Sequence, residues 1–372
     1  MDVVKLEKCL KDLGQPVYRF KQIIKAVYQD GVLDFAEMTN LSKILRDQLS
    51  GNIDILSFKI RDILGAQDKQ SYKALFELAD GNMIESVLMS PKPGMWSVCV
   101  SSQVGCPLGC AFCATGQMGL KRNLSVEEIT DQVLFWKGYL KEIRNQKFEI
   151  RNDESKIQNP KFPSQGGEII NSISNIVYMG MGEPFLNWDN VKRSLQILTD
   201  KDLFGFGSRS ISVSTAGIPE GIRDFSKEFP QINLAISLHF ADDKLRSRYM
   251  PVNRTYGLDI LKQTLKEYLQ KNSRKIFIEY VMLSGINDHF KQAEELANFL
   301  KSLGRLQLIH VNLIRYNMTG QELNSSSKIK TAAFRDALLR QHISVTIRKS
   351  LGQEIQGACG QLAVTNKQVG KS

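Results

Sequence analysis

Cys99-Val-Ser-Ser-Gln-Val-Gly-Cys106-Pro-Leu-Gly-Cys110-Ala-Phe-Cys113-Ala-Thr-Gly116 is the stretch on which the reading of this chain turns. It holds four of the six cysteines, and the other two, Cys9 and Cys359, lie far from it. Cys106, Cys110 and Cys113 form a C-x3-C-x2-C pattern within eight residues. In a reducing compartment such clustering points to metal or redox chemistry rather than to a disulfide framework. Three thiolates at this spacing can wrap one face of a cubane [4Fe–4S] cluster from a single loop, leaving one iron without a protein thiolate. That vacancy suits a catalytic cluster. The alternative is a structural zinc site with Cys99 as fourth ligand. A thioredoxin-type pair fits less well, because Cys110-x2-Cys113 has a third cysteine beside it.

Outward from the loop, Trp96 to Ser102 (WSVCVSS) reads as a strand and Val126 to Tyr139 as a helix. Strand and helix patterns then alternate. Strands are expected at 175–179, 210–214, 232–238, 275–283, 306–314 and 344–348. Helices are expected at 191–198, from 218, and at 258–270, 290–302 and 330–340. Short strands that are apolar throughout, joined by helices, predict parallel pairing with both faces covered. No dinucleotide-binding glycine fingerprint follows the first strand, so a full or partial (β/α) barrel is expected, with ligands at the carboxyl ends of its strands. Residues 141–172 are polar, repeat EIRN at 142 and 149, and read as an inserted mobile loop.

The chain has 372 residues, 42% hydrophobic and 24% charged, enough for one large core and an accessory domain. Its formal net charge of +10 favours a polyanionic partner, nucleic acid before membrane surface. Residues 1–70 read as a small basic helical domain suited to RNA contact. In Val17 to Tyr28, apolar positions at helical spacing alternate with Arg19, Lys21 and Lys25. Residues 71–95 read as linking strands, 96–350 as the barrel and 351–372 as a tail carrying Cys359. No apolar run has the length of a membrane span, and the first twenty residues lack a signal peptide's apolar region. A cytoplasmic protein is expected.

Beyond the triad, a set of ordered motifs resembles the radical S-adenosylmethionine (SAM) superfamily, and within it the RNA adenine methyltransferases of the RlmN and Cfr type. They are Cys99 to Cys106, Met179 to Pro184 (MGMGEP), Ser212 to Thr215, Ser237 to His239, Val311 to Ile314 with Asn317, and Ala358 to Leu362 (ACGQL). Tyr18-Arg19 and Lys21-Gln22 also match. The likeness spans nearly the whole chain outside 141–172.

The resemblance implies a partial (β/α) barrel radical SAM core with a small N-terminal helical domain. It implies that Cys106, Cys110 and Cys113 hold a [4Fe–4S] cluster, and that Gly182, Glu183, Ser214, Ser237, Leu238, His239 and Asn317 contact SAM. It implies two SAM molecules per turnover: one to methylate Cys359, and one to make a radical that takes hydrogen from that S-methyl group, so that the methylene radical adds to adenine. Glu85 is implied as the base that removes the adenine proton. Cys99 is implied to resolve the adduct, forming a transient Cys99–Cys359 disulfide. Cys9 has no counterpart. A glycyl-radical activating enzyme would share the triad but would need neither Cys99 nor Cys359.

Glu183-Pro184 is similar to the group that methylates adenine C2. Leu313 to Asn317 (LIRYN, with Arg315) and Asp200 to Phe204 are similar to the group that methylates C8. C2 is the expectation and C8 the alternative. The implied substrates are 23S rRNA at the peptidyl-transferase centre and the tRNA adenosine 3′ of the anticodon. A base in a single-stranded loop can be splayed into a site. A flavodoxin or ferredoxin is the implied electron donor.

Overall fold

The computed structural model describes residues 1–92, 94–144 and 172–363. The expected insert thus lies almost wholly outside the described residues. The N-terminal region is helical: α1 (Val3–Asp12), α2 (Val17–Ile24), which continues as a π-helical turn over Lys25–Gln29, and α3 (Lys43–Asn52). Asp2 caps α1 by accepting from the Lys5 amide, and Ser42 caps α3 by accepting from Leu45. Leu6, Leu10, Ile23, Val27, Leu45 and Leu49 face inward.

The helical stretch ends earlier than the expected residue 70. Strand β1 (Phe58–Gly65) begins there and pairs antiparallel with β2 (Ser71–Leu78). Lys59 to Asp62 are exposed and the pairing of this edge strand is interrupted between Ile60 and Asp62, so its sequence carries no clear two-residue burial period. β3 (Met83–Lys92) and β4 (Met95–Cys99) complete an antiparallel run. Next come β5 (Gln103–Gly105), the one-turn helix α4 (Ala114–Gln117) and β6 (Leu120–Asn123). β5 and β6 form a separate ribbon that closes the base of the cysteine loop.

The expected alternation follows. It comprises α5 (Val126–Arg144), β7 (Ser172–Tyr178), α6 (Trp188–Thr199), β8 (Ile211–Thr215), α7 (Pro219–Glu228) and β9 (Asn233–Ser237). It continues with α8 (Asp243–Tyr249), α9 (Leu258–Lys271), β10 (Ile276–Met282), α10 (Phe290–Ser302), β11 (Ile309–Arg315), α11 (Lys328–Arg340) and β12 (Ser344–Arg348). The ten-stranded sheet runs β1-β2-β3-β4-β7-β8-β9-β10-β11-β12, and every pairing from β4 to β12 is parallel.

The sheet is curled nearly shut. In a flat sheet, β2 and β12 would stand eight strand spacings apart, roughly 38 Å. Yet Lys349, next after β12, places its Nζ 3.2 Å from Oε1 of Gln70, just before β2. The parallel half is therefore a partial barrel, as expected, with the antiparallel strands and the tail closing its gap.

The N-terminal helices dock on α5. Gly138 lies against the loop at 31–33, where a Cβ would sit 2.5 Å from the Leu33 side chain. Lys137 Nζ donates to the Tyr28 carbonyl at 2.6 Å, and the Ser57 amide to Asp131 at 2.9 Å. Among the described residues no helix is long and apolar enough to cross a membrane.

Candidate active site

The carboxyl ends of the parallel strands converge on one cavity of about 1020 Å3, counting its open mouth. Cys106, Cys110 and Cys113 line one wall. Their loop is held by backbone: the Cys106 amide donates to Gly119 at 3.0 Å, and Ala111 to Tyr249 at 2.9 Å. Gly105 has φ +77°, and a Cβ there would lie 1.8 Å from the Gly119 oxygen, so no other residue closes this ribbon.

The three thiols are near neighbours. Burial pushes the Cys110 thiol well above its usual range, and the charges of Cys113 and Cys106 push it further. Burial likewise pushes Cys106 up to about 12. Among the described residues no three Cys, His, Asp or Glu side chains are close enough to share a single metal ion. A cubane cluster instead takes each thiolate on a different iron, and its positive irons would relieve the crowding of thiolates. The donor set fits such a cluster.

The opposite wall comes from the turn after β7. Gly182 has φ +103°, and a Cβ there would sit 2.6 Å from Gln103 Cβ and 2.8 Å from its backbone N. Glu183 follows, with its amide donating to Gln103 Oε1 at 2.8 Å. Its carboxylate accepts from the amides of Ala216 (2.8 Å) and Phe185 (3.1 Å). Burial raises its pKa to about 7 against these hydrogen bonds. A buried carboxylate so poised can receive an ammonium group.

Ser214 and Ser237, at the ends of β8 and β9, meet Oγ to Oγ at 3.3 Å and face the cavity. His239 adopts φ +58°, and its Nδ1 accepts from the Val281 amide at 3.1 Å. Burial lowers its pKa to about 3, with a further push from Arg246, so the ring is neutral. Asn317 also lines the cavity, and its Nδ2 donates to the Cys359 carbonyl at 3.1 Å. Leu238 does not line it. Its side chain is fully buried, and its carbonyl accepts from Arg246 Nε at 3.2 Å.

Cys359 lines this cavity and also an adjoining pocket, whose wall includes Cys99 at the end of β4. It is exposed because it faces these openings, although the surrounding protein still pushes its thiol up to about 11. Burial, and then Cys359 itself, push the Cys99 thiol up to about 12. Arg348 lines both pockets and pairs with the buried Glu279 at 3.4 Å. Glu85 lines neither pocket. It is fully buried on β3, ion-paired to Lys73 at 2.7 Å, and accepts from the Ala363 amide at 3.0 Å.

Sequence reasoning missed Gln103, Glu279, Arg348 and Lys73. A signal exists for Glu279, a lone charge inside the apolar run IFIEYVM, and for Lys73 within YKALF.

A parallel partial barrel with a three-thiol loop after one strand and a Gly-Glu-Pro turn after the next defines a radical SAM enzyme. The Radical SAM superfamily matches residues 166–300, beyond the cysteine loop, and the "Ribosomal RNA large subunit methyltransferase N-terminal domain" matches residues 1–55. A "Ribosomal RNA large subunit methyltransferase Cfr" of Clostridium botulinum is 39% identical, over 98% of this chain and 97% of the relative. A "Probable dual-specificity RNA methyltransferase RlmN 2" of Protochlamydia amoebophila is also 39% identical, over 99% of this chain and 94% of the relative. The crystal structure of a radical SAM methyltransferase from Sphaerobacter thermophilus superposes with a TM-score of 0.84 at 36% identity, covering 97% of each chain. The chain belongs to the RlmN/Cfr-type family of radical SAM methyltransferases.

Proposed function

We propose that the protein methylates C2 of an adenosine in RNA, at the peptidyl-transferase centre of 23S rRNA and 3′ of the anticodon in tRNA. The methyl group travels on Cys359. The observation that carries this reading is the place of Cys359, which opens at once on the cluster cavity and on the pocket of Cys99. The RNA substrate is supported by the relatives' names. It is supported too by Tyr18, exposed on α2 with the Arg19 guanidinium 5.0 Å over its ring, a surface on which a base can stack.

Cys106, Cys110 and Cys113 would hold a [4Fe–4S] cluster, which with two SAM molecules and an electron from a cytoplasmic flavodoxin or ferredoxin would supply a methyl group and a 5′-deoxyadenosyl radical. Gly182 lets the backbone approach the bound SAM, and Glu183 receives its ammonium. Ser214, Ser237, His239, Asn317 and the Leu238 backbone orient the rest. Cys359 sulfur loses its thiol proton and accepts the methyl group. Its S-methyl then gives up one hydrogen atom to the radical and bonds to the adenine carbon, and the unpaired electron of that adduct passes to a one-electron acceptor, for which the oxidised cluster would serve. Glu85 takes the ring proton. Cys99 loses its thiol proton and its sulfur attacks Cys359 sulfur; the electron pair of the broken sulfur–carbon bond stays on the new carbon, which takes up a proton to become the methyl group, and a Cys99–Cys359 disulfide remains for external two-electron reduction.

A second reading, methylation at C8, is favoured by Arg315, which lines the cavity where β11 ends. Mass spectrometry of nucleosides from treated RNA decides between them: 2-methyladenosine is expected, and 8-methyladenosine overturns the C2 assignment. Cys359→Ala is expected to abolish RNA methylation. If both SAM cleavage and methylation survive, Cys359 is not the carrier.

A further inference from the structure

Lys73 has no part in the chemistry above, yet it is among the most enclosed charges in the protein. It is 3% exposed, on β2, with Nζ 2.7 Å from Oε1 of the wholly buried Glu85 on β3. Replacing a buried ion pair by apolar residues is often neutral or stabilising, so holding the two strands together is a weak reason for this one. What the pair also touches is the tail. Lys73 Nζ lies 3.4 Å from the Gln356 carbonyl, and Glu85 Oε2 accepts from the Ala363 amide at 3.0 Å. These contacts fall three residues before Cys359 and four residues after it. One ion pair therefore grips both ends of the turn that carries the thiol.

On its other side the turn is held by the barrel. Asn317 donates to the Cys359 carbonyl at 3.1 Å, Ala114 to Gly360 at 2.8 Å and Thr115 to Leu362 at 2.5 Å. Gln356 sits at φ +51°, a left-handed conformation that a residue with a side chain keeps only when its surroundings impose it. The segment is thus held in a conformation it would relax from if released.

We infer that Lys73 and Glu85 form a catch that fixes the Cys359 turn between the antiparallel strands and the barrel, with Lys73 as a positioning residue. While the catch is closed, Lys73 and the Ala363 amide both engage the Glu85 carboxylate, so the catch must open before Glu85 takes a proton from adenine. This last step rests on the role of Glu85 given above, and the catch itself does not.

Hydrogen–deuterium exchange on the full chain tests it, because the Ala363 amide is itself one of the contacts. In Lys73→Met, exchange across 357–363 is expected to rise about tenfold, the effect of losing one charge-assisted contact, while β2 and β3 stay protected. Lys73→Arg restores the slow rate. Removing one charge leaves the other buried without its countercharge, which can unfold the strands. Lys73→Met with Glu85→Leu removes both, and is also expected to speed the tail at unchanged melting temperature. Wild-type exchange across 357–363 in that folded double variant overturns the catch. Glu85→Gln keeps a carbonyl that can accept from the Ala363 amide but removes the base, so it separates the two readings. Lost RNA methylation with little change in tail exchange keeps the base, and the double variant then decides the catch. Faster tail exchange with intact methylation keeps the catch and removes the base.

Discussion

Cys106, Cys110 and Cys113 hang on one eight-residue loop, whereas Cys99 and Cys359 stand 260 residues apart and meet because the sheet curls. The first set is fixed mainly by nearby backbone, a ribbon closed at Gly105 and a short helix, although Ala111 also reaches Tyr249 and that helix touches the tail through Ala114 and Thr115. The second depends on the path of the chain from β12 back to β2. That path is pinned at Lys349–Gln70, Gln67–Glu354, Lys73–Gln356 and Glu85–Ala363. A cofactor needs donors that stay in place, and a loop short enough to have few conformations provides them. A carrier thiol must meet both the cofactor and the base, and a tail fastened by separable contacts can do so. Removing a thiol of one set leaves these backbone contacts in place, so the two sets of cysteines should fail independently.

The largest effect breaks the local half. Cys113→Ala is expected to abolish SAM cleavage, with iron and acid-labile sulfide lost after anaerobic reconstitution. A mild oxidant should still form the Cys99–Cys359 disulfide in this variant, detected by peptide mass mapping. If the disulfide is lost too, the sites are not independent. Breaking the assembled half gives the converse. Cys99→Ala is expected to keep the cluster and cleave SAM but leave RNA covalently attached to the protein. A slow-migrating, nuclease-sensitive band on a denaturing gel reports it, and free methylated RNA instead would remove Cys99 from the reaction.

Gly182→Ala sharpens the comparison at intermediate size. A methyl group at φ +103°, 2.8 Å from a backbone nitrogen, leaves the turn no relaxed geometry. The cost is about 1–3 kcal/mol, read as a lower melting temperature. SAM affinity should fall while Cys99–Cys359 disulfide formation stays at the wild-type rate.

The same division decides what the sequence discloses. β12 lies at the expected 344–348 and α10 at the expected 290–302, because α10 is regular with one buried apolar face and β12 alternates exposed residues with the half-buried Val345 and Ile347. The strand expected from 306 instead begins at Ile309 after a 3-10 turn over Leu306–Leu308, where apolar residues without a period look alike in either form. β1 was hidden by its run of exposed residues and its interrupted pairing. The triad was legible from spacing alone. The resemblance led to Glu183, Ser214, Ser237, His239 and Asn317, and the structure gathers them on one cavity. Gln103, Arg348 and Lys73 act through partners 80, 69 and 12 residues away, and no local pattern names a partner.

The smallest expected effect lies outside both sites and serves as their control. Gly138 is in the middle of α5, where alanine is ordinarily the better helix former by about 1 kcal/mol. Here its Cβ would lie 2.5 Å from Leu33 and 3.2 Å from the Gly31 carbonyl. Leu33 is a side chain that can give way, but the loop at 31–33 is the seat of the N-terminal helices. Overpacking of this kind costs roughly 1–3 kcal/mol, so the helix gain is offset and Gly138→Ala should be mildly destabilising. The strain falls on the docking of residues 1–55, so faster hydrogen exchange in α2 and weaker RNA binding are expected. Cluster content, SAM cleavage and Cys99–Cys359 disulfide formation should be untouched. A change in SAM cleavage would mean that the helical region is coupled to the barrel through α5.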